Sequence, residues 1–115
     1  MISTNRLLYE LGYNITLQPP VTFNAVLVFP TMEHLKSFQK DFQKYMADND
    51  ESVGGQHRIK QYKYFHGMIY FTINPQDLRG LRLTHLYVSN RLSDIQKQGA
   101  LMLGISSKRV IEFTQ

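Results

Sequence analysis

Hydrophobic and polar positions change their period several times along this 115-residue chain, and each change marks a new element. The run NAVLVF, Asn24 to Phe29, is almost wholly apolar and is stopped by Pro30. That is the pattern of a short strand buried on both faces, as in a parallel sheet. From Thr31 the period becomes helical. Met32, Leu35, Phe38, Phe42, Tyr45 and Met46 recur at spacings of three and four, Thr31 supplies an N-cap hydroxyl, and Glu33 places an acid in the first turn. The spacing predicts a helix from Thr31 to Met46. Its other side carries Lys36, Lys40 and Lys44, either a solvated face balanced by Glu33 and Asp41 or a line of phosphate contacts. Upstream, STNRLLYEL reads as a short amphipathic helix with Leu7, Leu8 and Leu11 turned inward and Gly12 at its end. The following NITLQPPVTF is expected to be extended, because Pro19 and Pro20 exclude helix.

Ala47 to Gln56 is acidic, ends in Gly54-Gly55 and reads as a loop. Two strand patterns, HRIKQYKYF and GMIYFTI, meet around His66-Gly67 as an antiparallel hairpin. A further strand runs from Thr84 to Ser89, Ser93 and Gln96 form a capping box for a helix ending near Gly104, and RVIEF supplies the last strand. The order α-β-α-β-β-β-α-β predicts a single α/β domain over residues 1–115, with a mixed, partly parallel sheet of about five strands and flanking helices.

Composition narrows the chemistry. Without cysteine there are no disulfides, thiolate nucleophiles or cysteine metal sites, which fits a reducing, cytoplasmic setting. No apolar run is long enough to span a bilayer, and the N-terminal residues lack the apolar core of a secretion signal, so no membrane association is expected. The formal charge of +4 leans toward an acidic partner. His34, His57, His66 and His85 show no helical metal spacing and no HExxH, the loop acids do not make an EF-hand, and no GxSxG occurs. No metal or cofactor is expected.

The strongest binding signal lies in HRIKQYKYFHG. If Ile59 faces the core, Arg58, Lys60, Tyr62 and Tyr64 alternate onto the opposite face, two cations for phosphates and two tyrosines for stacked bases. The same pattern also describes an ordinary solvent-facing sheet surface. Arg79, Arg82 and Arg91 flank the Thr84 strand as a second basic set, with Arg91 beyond its carboxyl end, where open α/β sheets usually hold ligands. An RNA-recognition-motif arrangement accommodates the additional strand at Thr84 to Ser89 poorly.

The succession AVLVFPTMEHLKSF, a hairpin, and LRGLRLTHLYVSN resembles the ATPase core of phage terminase large subunits and related helicase-like P-loop proteins, over roughly Asn24 to Gln115. In that family the strand matched here by Leu86 to Ser89 ends in two acids; here Ser89 and Asn90 stand there. The chain also has no GxxxxGK[ST] phosphate loop. Phosphoryl transfer would then lack its phosphate cradle, metal carboxylate and base. The resemblance therefore implies a degenerate, non-catalytic relative in the host cytoplasm. Its expected partner is DNA, RNA or a nucleoprotein complex. The alternative is a protein-interaction module, an inhibitor or adaptor docking on a phage or host protein complex, with self-association through an uncovered sheet edge. A hydrolase assembled from scattered residues such as His57 and His66 is the third class.

Overall fold

The computed structural model describes residues 1–17, 21–49, 55–78, 80–104, 107 and 109–115. Helix α1 (Thr4–Thr16) leads to strand β1 (Phe23–Val28) and helix α2 (Met32–Asp48). Strands β2 (Gln56–Arg58), β3 (Gln61–Tyr64) and β4 (Gly67–Thr72) follow, then a single 3-10 turn (Pro75–Leu78), β5 (His85–Ser89), α3 (Asp94–Gly104) and β6 (Val110–Phe113). The six strands form one sheet in the order β2-β3-β4-β1-β5-β6. Strands β4, β1, β5 and β6 run parallel, and β2 and β3 add antiparallel strands beyond β4. The predicted single mixed α/β sheet is therefore present, with one strand more than expected.

The extra strand comes from a turn inside HRIKQYKYF. Arg58 pairs with Gln61, so Ile59 and Lys60 make a two-residue bend. Lys60 has φ 59°, a left-handed conformation that a lysine seldom adopts. Helix α1 also runs further than expected. It passes through buried Gly12 and ends at Thr16, because Ile15 adds another core contact one turn beyond Leu11.

Alternate positions of β1 feed two cores. Phe23, Ala25, Leu27 and Phe29 meet α1 and α2 through Leu7, Leu11, Leu35, Phe38 and Phe42, together with Phe71, Tyr87 and Phe113 from neighbouring strands. Val26 and Val28 face the other way, onto Leu86, Leu92, Ala100 and Leu103 beneath α3. This double burial is why β1 reads as an unbroken apolar run.

Capping follows the sequence signals. The Thr31 hydroxyl accepts from the His34 amide at 3.2 Å. Ser93 and Gln96 exchange their capping-box bonds at 3.0 and 3.2 Å. The Gln96 amide nitrogen also reaches the carbonyls of Phe29, Pro30 and Ile73 at 2.9–3.1 Å. Those carbonyls stand just past the ends of β1 and β4, so Gln96 closes the carboxyl edge of the sheet between them. At the N-terminus, Ile2 bridges to Phe113 and ties the chain start to the β6 edge.

Candidate functional site

The sequence-predicted residues do not form one surface. Ile59 is 89 % exposed at the tip of the β2–β3 turn, whereas Tyr62 is 0 % and Tyr64 7 % exposed. Neither tyrosine is available for base stacking. The expectation fails because the two-residue turn reverses the chain and resets which positions face inward. His57 and Tyr62 sit opposite each other toward α2, while Gln56, Arg58, Gln61 and Lys63 share the other face. Arg58 and Lys60 are exposed, Arg58 donating to Gln56 at 2.9 Å. Arg82 lies exposed ahead of β5, and Arg91 in the turn that follows it. Arg79 lies outside the described residues.

Ser89, which stands where the resembled family has a catalytic acid, is buried, and its hydroxyl accepts the Arg91 amide at 3.2 Å. The Ser89-Asn90 end of β5 thus closes a local turn. Beyond the neighbouring ends of β1 and β4, Gln96 occupies the carbonyls of Phe29, Pro30 and Ile73.

A cleft of about 430 Å³ does exist on the α1 side of the sheet, over β5 and the start of β6. Helix α1 contributes Arg6, Tyr9, Glu10, Tyr13 and Asn14, and the strands contribute His85, Tyr87 and Arg109. The helical five recur at three- and four-residue spacing, so they form a single stripe beside the apolar one that packs into the core. His85 and Tyr87 are two apart on β5 and therefore face the same way. Pairing of Leu86 with Val110 brings Arg109 alongside His85.

Tyr9 and Tyr13 are both half-exposed and stack with ring centroids 6.3 Å apart. The Arg6 guanidinium lies 5.1 Å from the Tyr9 ring centre, a cation–π contact. The Glu10 Oε2 atom is buried and has no hydrogen-bond partner among the described residues. Burial, and then the nearby Glu10 charge, push the Tyr87 hydroxyl well above its ordinary pKa, with Arg109 opposing.

Burial, with Arg109 adding to it, lowers the pKa of His85. Its ring lies between Phe23 and Tyr87, stacked on the latter with the two planes 11° from parallel. The Thr84 hydroxyl donates to the Asn24 carbonyl at 3.1 Å and accepts from the Asn24 amide at 3.0 Å. That hydroxyl also faces His85 Nδ1 at 3.0 Å. The cleft thus combines two guanidinium groups, an accessible aromatic pair, a carboxylate with one unpartnered oxygen among the described residues, and an imidazole.

A second, apolar groove of about 260 Å³ lies on the opposite face of β5 and β6, lined chiefly by Leu86, Val88, Leu92, Ala100, Leu101 and Val110. Among the described residues no group of three or more His, Asp or Glu side chains is placed to hold a metal ion, and no helix is long and apolar enough to cross a membrane. Comparison with protein-family models, with curated proteins and with solved structures finds no match to this chain.

The α1 stripe was legible in principle. Arg6, Tyr9, Glu10, Tyr13 and Asn14 repeat with the helical period, but their polar character reads equally well as a solvated face. Their convergence with His85 and Arg109, far along the chain, has no signature in the sequence.

Proposed function

We propose that the protein is a small non-catalytic accessory protein that binds single-stranded nucleic acid, alone or within a nucleoprotein complex, through a basic and aromatic surface. The observation that carries this reading is the stripe Arg6-Tyr9-Tyr13 facing Arg109 across the cleft. Guanidinium groups take phosphates as bidentate partners, and exposed tyrosines offer stacking platforms whose π faces accept any base. The phage setting and the host cytoplasm follow from the resemblance to terminase-type P-loop proteins, in which Ser89 and Asn90 occupy the places of the catalytic acids. Arg58, Lys60, Arg82 and Arg91 remain available as peripheral phosphate contacts. Arg58 is on edge strand β2 and the cleft lies over β5 and the start of β6, so four to five inter-strand spacings, roughly 19–24 Å, separate them.

Fluorescence anisotropy against labelled single- and double-stranded DNA and RNA at two salt concentrations tests the proposal. The unmodified protein should bind single strands, with affinity falling steeply as salt rises. The double charge reversal R6E/R109E should weaken binding by roughly tenfold or more and flatten the salt dependence. Unchanged affinity in that variant would remove the cleft from the interface.

A second reading, a protein-interaction module, is favoured by one specific feature. Leu101 and Val110 at the apolar groove, and Ile95 and Met102 elsewhere on α3, are all exposed. Absence of any nucleic-acid binding at low salt would make this the leading interpretation.

A further inference from the structure

The cleft contains a group that phosphate binding leaves unexplained. Glu10 places a carboxylate among Arg6, Arg109 and two accessible tyrosines, and its Oε2 atom is buried without a partner among the described residues. A site that bound phosphate alone would gain nothing from a negative charge there. A buried carboxylate oxygen lacking a donor is costly until a ligand supplies one. The chemistry missing from the cleft is therefore an N–H donor, beside an aromatic surface and within reach of cations.

We infer that the cleft selects guanine, with the base stacked on the Tyr9–Tyr13 pair, the Glu10 carboxylate accepting from its Watson–Crick edge, and Arg6 and Arg109 on the phosphates. This rests on the nucleic-acid reading above for its source of guanine. The choice of base follows from donor patterns. Guanine presents two adjacent donors, N1–H and the 2-amino group, which match the two oxygens of one carboxylate. Adenine and cytosine set their amino group beside a ring nitrogen acceptor, and uracil flanks its single N–H with two carbonyls, so each turns at least one lone pair toward Glu10. The cleft's 430 Å³ lies within the range of about 300–1,000 Å³ typical of small-ligand sites. Glu10 sits one turn after Arg6 and one turn before Asn14, whose amide holds the Glu10 carbonyl at 2.7 Å, so the helix carrying the carboxylate is locally braced.

The test uses the full chain and short labelled RNA strands of otherwise uniform uridine, carrying one central guanosine, one central inosine, or neither. Inosine keeps N1–H and lacks the 2-amino group. The guanosine strand should bind roughly tenfold more tightly than the all-uridine strand, with inosine between them. Glu10→Gln should abolish the preference, bringing the guanosine and all-uridine strands to equal affinity, with an unchanged thermal melt showing that the fold survives. Equal affinity of the unmodified protein for guanosine and uridine strands, or a preference that persists in Glu10→Gln, would overturn the inference while leaving strand binding standing. Guanosine monophosphate is the separate arm. If it binds with the same Glu10 dependence while no strand binds, guanine selection holds and the strand-binding function fails. If neither binds, both fail.

Discussion

Tyr62 and Tyr64 point the same way from β3 into the core beneath α1 and α2, yet their hydroxyls meet different surroundings. The Tyr64 hydroxyl donates to the Phe23 carbonyl at 3.2 Å, and burial first, with Tyr62 nearby, pushes its pKa up to about 12. The Tyr62 hydroxyl is buried against Gly55 and has no partner among the described residues. Removing an unsatisfied buried hydroxyl relieves a desolvation cost, whereas removing a bonded one forfeits its hydrogen bond. Tyr62→Phe is therefore expected to stabilise the protein by about 1 kcal/mol and Tyr64→Phe to destabilise it by about the same amount. Urea denaturation of the two variants reads the opposite signs directly, and equal shifts would show that the two hydroxyls do not differ in this way. The alternation of these tyrosines with polar residues was plain in the sequence. Which side was inward depended on a bend at Ile59-Lys60, and neither residue belongs to the glycine, asparagine or aspartate set that normally announces a tight turn.

Where local signals are strong, elements follow them. Thr31 and the Ser93–Gln96 box sit at the helix starts that their side chains dictate. Gln96 does more than cap α3, because one amide group serves three carbonyls from the ends of β1 and β4. That role was invisible in sequence, since the three acceptors come from segments far apart in the chain. It separates two effects by mutation. Ser93→Ala removes only the cap and should cost about 1 kcal/mol. Gln96→Ala also strands the carbonyls and should cost about 2–3 kcal/mol. Gln96→Glu keeps the acceptor for the Ser93 amide but turns a carboxylate toward three carbonyl oxygens, so at neutral pH it should be at least as damaging as alanine. A Gln96→Glu protein as stable as the parent would show that the edge is not closed in this way. Helix α1 teaches the opposite lesson about local signals. Gly12 looked like a stop, but Ile15 reaches the core one turn later, and tertiary packing outweighs a glycine's weak helix propensity.

At the scale of the whole molecule, the α/β architecture was legible because β1 and α2 carry unambiguous periods, while the cleft depended on the assembled sheet. Parallel pairing of β5 with β6 brings Arg109 beside His85, and α1 lays its polar stripe over both. That assembly has a consequence for pH. Burial lowers the pKa of His57 and of His85, with Arg109 adding to the effect at His85. The unfolded chain titrates these rings near the ordinary value of 6.5, so it takes up protons before the folded protein does. Their contribution to stability is full above that value, declines as pH falls through it, and is exhausted below the folded-state pKa. The melting temperature should accordingly drop between about pH 7.5 and pH 5.5, and the double variant H57Q/H85Q should show a shallower slope. Binding should move the other way. In the folded protein the added proton goes to His85, which lines the cleft. It places a third cation in the cleft beside Arg6 and Arg109, so affinity for a phosphate-bearing strand should rise over the pH interval in which stability falls. His85→Gln should abolish that rise, and His57→Gln, outside the cleft, should leave it in place. A rise that survives His85→Gln would locate the responsible proton elsewhere.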